Sequence, residues 1–153
     1  MFSKQETVLL KKEFWTVFGQ YMLPVLSSED EKVNWVNYKT GEKDIYFRLH
    51  ADNKKAVISI ELTHKDEDIR HLYFEQFLQF KNLLNQSQGE EWTWQLHAKD
   101  EHGKSLSRIY RELEHTSIMK KEDWPSLISF FKPRIIALDA FWNAVKYGFE
   151  ALR

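Results

Sequence analysis

The sequence predicts an α+β (α/β) single domain spanning residues 1–153, in which an antiparallel or mixed sheet of four or five strands is flanked by three helices. Apolar residues recur every three or four positions in three long segments, which is typical of helices that bury one face. Elsewhere apolar and polar residues alternate, which is typical of strands with one buried face. The alternating segments are joined by short turns, and short links favour antiparallel pairing.

The composition bounds the class of protein. The chain has 153 residues, 11 Phe, 6 Trp and 6 Tyr, so one aromatic core is expected. Cysteine is absent, which excludes disulfides, thiolate metal sites and cysteine nucleophiles and is compatible with a cytoplasmic location. No apolar run approaches the roughly 18 residues that cross a bilayer, so no membrane association is expected. Basic and acidic side chains number 22 and 23, which leaves no general positive field for nucleic acid.

The first helix is predicted over residues 4–22. Ser3 and Glu6 have the spacing of a capping box, and Pro24 ends the segment. Strands are then predicted at residues 33–39, 45–51 and 56–63, with turns at residues 39–42 and 52–54.

The second half of the chain predicts a helix, two strands and a closing helix. The acidic run from Asp66 favours a helix start, and Gly89 follows its end. Strands are predicted at residues 92–99 and 108–114. Asp123 is the expected cap of a final helix that Pro133 should break or kink.

This order of helix, three strands, helix and strand resembles the core of PD-(D/E)XK nucleases, a restriction-endonuclease-like fold. In such an enzyme Glu61 and Asp44 would hold Mg²⁺ or Mn²⁺, with Glu13 as an additional acid. Position 63 is threonine where a lysine is expected, so Lys65 or Lys81 would have to supply the positive charge. The competing interpretation is that Glu61 pairs with Arg48 or His97 on a half-exposed strand. That interpretation is favoured because structural ion pairs outnumber active sites.

Two other polar groupings are candidates for binding. The side chains of Arg48, His50, Glu61 and His97 belong to the non-aliphatic faces of three predicted strands, where Ser59, Gln95 and Lys99 also lie. They predict a ligand-binding surface, and a plain wet sheet face is the alternative. A row at helical spacing could bind a transition metal, although an ordinary solvated helix face has the same pattern. Its members are His64, Asp68, His71 and Glu75. No catalytic residue, metal or cofactor is therefore favoured.

Several segments together resemble a bacterial domain of unknown function catalogued as forty-two sixty-eight. They are Phe14-Trp15, the strand residues 58–62, His71-Leu72-Tyr73 with Phe77, Trp92-Thr93-Trp94 and the closing helix over residues 131–149. The resemblance covers nearly the whole chain. It implies an association with DNA handling or defence, and it carries no catalytic residues to transfer.

Three hypotheses follow. The favoured one is a non-catalytic accessory or interaction module for nucleic acid or a partner protein. The alternative is a divalent-metal-dependent nuclease that uses Asp44, Glu61 and a displaced lysine. The third is a homodimer joined through the apolar last helix.

Overall fold

The computed structural model describes residues 2–153 and contains four α-helices and four strands. Two 3-10 segments, Lys121–Asp123 and Lys146–Leu152, flank the last helix. The elements in chain order are α1 Lys4–Met22, β1 Ile45–Ala51, β2 Lys55–Leu62, α2 Glu67–Gln79, α3 Lys81–Gln88, β3 Thr93–Lys99, β4 Ser105–Glu114 and α4 Trp124–Val145. None of the helices in residues 2–153 combines the length and apolar composition needed to cross a lipid bilayer.

The four strands form one sheet in the order β1-β2-β4-β3, and every neighbouring pair is antiparallel. This confirms the predicted α+β class. The ladder between β3 and β4 is irregular, because a bulge shifts the register between Gln95 and Ala98. The two hairpins therefore meet along β2 and β4, the central strands.

One face of the sheet, here called the core face, carries the hydrophobic core. Phe47, Ile60, Ile109 and Trp94 face one another across all four strands, and the first three are buried. Trp142 of α4 contacts Phe47 at a ring distance of 5.9 Å. Each buried ring or aliphatic side chain contributes about 1.5–3 kcal/mol through removal from water. The helices are therefore held on one side of the sheet.

Aromatic rings also join the helices to one another. Phe131 of α4 lies 5.9 Å from Phe18 of α1, and Phe77 of α2 lies 4.6 Å from Phe149 in the last 3-10 segment. These four rings are fully buried. The first and last helical segments thus share one core, as the aromatic composition predicted.

The strand predicted at residues 33–39 is wrong. The amides of Val36 and Asn37 donate to the side-chain oxygen of Asn34, so they form a local turn instead of a ladder. Trp35 and Tyr38 are nevertheless buried, and they anchor the loop to the core. Since only two strands separate α1 from α2, the element order on which the nuclease resemblance rested is not reproduced.

Three details of the helices differ from the sequence prediction. The helix expected up to Gly89 is divided at Phe80, whose ψ of 15° leaves the helical range, whereas Gly89 ends α3 in the left-handed region as expected. Pro133 does not break α4, because burial of the flanking Phe131 and Ile135 holds the helix together around it. Asp123 makes no capping hydrogen bond and accepts from the Ser117 amide instead.

Asp139 of α4 fastens the loop between α1 and β1. It is buried, and its carboxylate accepts hydrogen bonds from the Tyr38 hydroxyl at 2.5 Å and from the Ser28 amide at 2.7 Å. Burial, the hydrogen bond to Asp139 and the charge of that carboxylate raise the pKa of Tyr38. The folded chain therefore keeps this phenol protonated at pH values where the unfolded chain releases the proton.

Tyr38→Phe should lower the free energy of unfolding by about 1–3 kcal/mol near pH 7, because it removes a donor from a buried carboxylate. The tyrosine contribution is complete below pH about 10 and falls above it, by up to about 1.4 kcal/mol per pH unit. Urea unfolding between pH 7 and pH 11 should therefore show a shallower alkaline loss in the variant than in the wild type. Burial also raises the pKa of Tyr73, but that contribution is common to both proteins.

Tyr147→Phe is the matched control, since it removes a hydroxyl from a well-exposed ring. It should change stability by less than about 0.5 kcal/mol. Equal stability and equal alkaline slopes for wild type and Tyr38→Phe would contradict the role given to this hydrogen bond.

Candidate functional site

The face of the sheet opposite the core face, here called the open face, carries polar and aromatic side chains. One row across the strands consists of Tyr46, Glu61, Arg108 and Gln95, and the next consists of Arg48, Ser59, Tyr110 and Thr93. The ring contacts between helix and strand in residues 2–153 all involve the core face. The open face is thus presented without a helix packed against its rings.

Two arginine and tyrosine stacks stand on the open face. The guanidinium of Arg48 lies 4.3 Å from the ring centre of Tyr46, and that of Arg108 lies 4.1 Å from the ring centre of Tyr110. Within each pair the residues are two positions apart on one strand, so they share a face. Cation–π attraction holds each guanidinium group over its tyrosine ring. The open face therefore presents two flat arginine–tyrosine surfaces, one on β1 and one on β4.

Glu61 lies between these stacks and is already engaged. Its carboxylate contacts Arg48 Nε at 3.0 Å and accepts a hydrogen bond from the Ser59 hydroxyl at 3.0 Å. Arg48 is half exposed, so this ion pair contributes at most about 1 kcal/mol. The structure thus contains the pairing with Arg48 that the sequence interpretation weighed against a metal site.

The other residues of the nuclease hypothesis lie in different surroundings. The Asp44 side chain is near the Thr63 hydroxyl at 3.4 Å, and Glu13 pairs with Lys121. Lys81 Nζ is 5.8 Å from the ring centre of Trp94, which packs against Phe74 of α2 on the core face. Lys81 and Glu61 are therefore on opposite sides of the sheet.

A groove of about 530 Å³ borders the open face at the end of the sheet where β2 ends and β4 begins, and Thr63 and Lys104 both line it. Its lining includes four basic side chains, namely Arg48, Lys65, Arg70 and Lys104. Arg70 is buried and donates from Nη1 to the His64 carbonyl at 2.8 Å. Its Nε is also buried and makes no hydrogen bond among residues 2–153.

Asp100 is the one carboxylate in the lining of that groove within the described residues. Hydrogen bonds from the backbone amides of Lys104 and His102 lower its pKa. The Asp100 carboxylate therefore already accepts hydrogen bonds within the turn between β3 and β4. Arg48 is already paired with Glu61, and the other three cations of the lining against one bound anion make the groove suited to a negatively charged ligand.

The four residues predicted to bind a ligand do not form one cluster. Arg48, His50 and Glu61 lie on the open face, with His50 3.5 Å from Asp52. His97 does not join them, because the bulge in β3 places it beside α2, where its ring is 5.3 Å from that of His71. The sequence could not reveal this, since a bulge depends on the partner strand.

The row of metal ligands predicted on the helix is also divided. His64 precedes α2, is buried, and stacks on Tyr73 with ring centres 4.2 Å apart, and burial lowers its pKa. His71 instead lies near Glu67 and His97, and one ligand atom from each of the three is within 4.8 Å of the other two. Glu67 was not predicted from the sequence, although its i, i+4 spacing to His71 is a readable pattern.

The open-face tyrosines were also missed. The segments Tyr46-Phe47-Arg48 and Arg108-Ile109-Tyr110 carry the pattern, in which an arginine and a tyrosine flank one core residue. This pattern places both on the face opposite the core, and it could have identified the stacks from the sequence.

Comparison with known proteins bears on the family alone. No curated protein and no solved structure matches the chain significantly, and the nuclease-like fold is not confirmed. Residues 10–146 match the family described as domain of unknown function DUF4268, in agreement with the resemblance found in the sequence. Because that match covers most of the chain, the protein belongs to the DUF4268 family.

Proposed function

We propose that this domain is a non-catalytic interaction module that binds single-stranded nucleic acid on its open face. The observation that carries the proposal is the pair of arginine and tyrosine stacks, Arg48 with Tyr46 and Arg108 with Tyr110. The module is proposed to act in DNA handling or defence in the bacterial cytoplasm, in keeping with the resemblance and the cysteine-free sequence.

Unpaired bases suit such a surface. Aromatic rings on a sheet without a helical cover can stack with bases, and each base stacked on a ring contributes about 1–3 kcal/mol. The guanidinium groups of Arg48 and Arg108 can bind phosphates while they remain ordered by the tyrosines. Tyr46 and Tyr110 lie in neighbouring rows on different strands, so one extended strand could contact both.

The basic groove supplies the electrostatic attraction that the whole chain lacks. With a net charge of −1, the protein has no general field for a phosphate backbone. The groove lined by Lys65, Arg70 and Lys104 also includes Arg48 of the open face. The two surfaces are therefore continuous, and the groove is their positively charged end. A bound strand would therefore run from the tyrosines into this groove.

The double variant Arg48→Ala/Arg108→Ala should bind a fluorescein-labelled single-stranded DNA 12-mer at least about tenfold more weakly, a loss of about 1.4 kcal/mol. Fluorescence anisotropy over a salt series measures this. Each arginine that binds a phosphate contributes about 0.7 to the slope of log affinity against log salt. The slope should therefore become shallower by about 1.4 in the variant.

Lys132→Ala is the matched control, because Lys132 also stacks on an exposed tyrosine, Tyr21, at 4.8 Å, but lies on the helical side of the molecule. It should bind DNA as the wild type does. The proposal fails if the wild type does not bind the oligonucleotide, or if the control loses as much affinity as the double variant. A partner-protein module is then the better account of the open face.

A second candidate is the divalent-metal-dependent nuclease. It is favoured by one observation, that Lys65 lines the same groove as Arg48, the partner of Glu61. In this mechanism Asp44 and Glu61 would hold Mg²⁺ or Mn²⁺, and Lys65 would replace the missing lysine.

Incubation of supercoiled plasmid with the protein and Mg²⁺ or Mn²⁺ separates the two candidates. If the domain is a binding module, the wild type should nick no more plasmid than the Glu61→Gln variant does. This substitution removes the partly exposed ion pair with Arg48 and should leave the fold intact. Metal-dependent nicking by the wild type that disappears in folded Glu61→Gln would establish the nuclease and refute the non-catalytic function.

A further inference from the structure

A group of three potential metal ligands lies on the core-face side of the sheet, away from the open face. Glu67 and His71 are one helical turn apart on α2, and His97 is presented by the bulged strand β3. We propose that Glu67, His71 and His97 bind one divalent transition-metal ion of the zinc type. This proposal is independent of nucleic-acid binding and of the hypothetical Mg²⁺ or Mn²⁺ centre at Glu61.

The geometry is close to that of a coordinated ion. A tetrahedral zinc ion with bonds of about 2.0–2.1 Å holds its ligand atoms about 3.4 Å apart. Glu67 Oε1 and His71 Nε2 are already 3.6 Å apart, and all three ligand atoms lie within 4.8 Å of one another. Glu67 and His97 are exposed, so rotation of these two side chains can close the remaining distance.

The imidazole of His71 lacks an alternative partner. Its Nε2 is buried and makes no hydrogen bond within residues 2–153, since 3.6 Å to Glu67 is too long. Leaving a buried polar atom unsatisfied costs about 1–3 kcal/mol. A metal ion would satisfy this nitrogen through its lone pair. The same ion would be coordinated by His97 and neutralised in part by Glu67.

The ligand types select the class of metal. Two imidazoles and one carboxylate suit zinc and neighbouring transition metals, whereas Mg²⁺ and Ca²⁺ prefer oxygen ligands. Three protein ligands leave one position of a tetrahedral ion open to water or another ligand. The site would therefore be exchangeable from solvent.

Metal binding here would also join two elements. Glu67 and His71 belong to α2, and His97 lies on β3, which is an edge strand with an irregular ladder. An ion bound only by the folded chain stabilises it in proportion to its occupancy. Zinc should therefore raise the melting temperature of the protein as well as bind to it.

Isothermal titration of chelator-treated full-length protein with ZnCl₂ tests the proposal, and Co²⁺ absorption in the visible range reports the coordination. The wild type should bind one Zn²⁺ per chain at this site. His71→Ala and His97→Ala should each weaken zinc binding at least about tenfold. A loss of that size is typical when a residue that only orients a metal ligand is changed, and loss of a ligand itself should cost no less. Both should lose the zinc-dependent rise in melting temperature.

Two other histidines provide matched controls. His102 lies 3.4 Å from Glu101 and His115 lies 4.0 Å from Glu114, so each has a carboxylate neighbour but belongs to no group of three ligands in the described residues. His102→Ala and His115→Ala should bind zinc as the wild type does. Glu67→Gln is a further variant for the site, because an exposed side chain can be changed without loss of the core.

The proposal is overturned if the wild type binds no zinc. It is also overturned if zinc affinity and the Co²⁺ spectrum are unchanged in His71→Ala and His97→Ala, or if the His102 and His115 controls lose as much affinity. If an alanine variant is unfolded by circular dichroism, Glu67→Gln decides the matter. Weakened zinc binding by folded Glu67→Gln supports the site, and undiminished binding refutes it.

Discussion

Burial of one face of the sheet by aromatic side chains is the constraint on which the rest of the structure depends. Phe47, Ile60 and Ile109 point into that core from three adjacent strands, and Trp142 and Phe77 cover them from the helices. Because side chains alternate along a strand, this burial also decides which residues reach the other face. A slip of one residue would exchange the two faces, so core packing fixes the position of Arg48, Glu61 and Arg108.

The same constraint explains why the two proposed sites lie on different sides. Regular alternation along β1 and β4 sends Tyr46 and Arg48, and Arg108 and Tyr110, to the open face. The bulge in β3 interrupts alternation, and His97 consequently lies near α2 beside His71. A nucleic-acid surface and a metal site would then arise from one sheet without sharing a residue. They can be tested separately, because each has its own variants and controls.

Sequence patterns predicted those parts of the molecule that depend on local or periodic information. The capping box of Ser3 and Glu6 and the alternation in residues 45–51 and 56–63 correspond to α1, β1 and β2, within one residue at each end. The prediction failed where local bonding or tertiary packing was decisive. Asn34 bonds its own neighbours and prevents a strand, whereas the packed face of α4 tolerates Pro133. The break at Phe80 has no glycine or proline to indicate it.

The candidate sites were only partly predictable for the same reason. Arg48, His50 and Glu61 follow from alternation and do share the open face. The position of His97 depends on a bulge, and the groove depends on the approach of Lys65 and Arg70 to a turn near Lys104. Such contacts join distant parts of the chain. The apolar side chains of α4 that suggested a homodimer are buried within the chain itself, so that hypothesis would require another surface.

The division of the sheet into a core face and an open face is tested most directly by single-cysteine labelling, for which this cysteine-free chain is well suited. Cysteine placed at the exposed positions Arg48 or His50 should react with a maleimide about as fast as in the unfolded chain, and cysteine at the half-buried Arg108 should react more slowly but without opening of the protein. Cysteine placed at Ala51, Ala56 or Ser107, which are buried on the core face, should react only when the protein opens. Equal rates at the two sets, or protection at Arg48 and Arg108 in the isolated protein, would contradict this account.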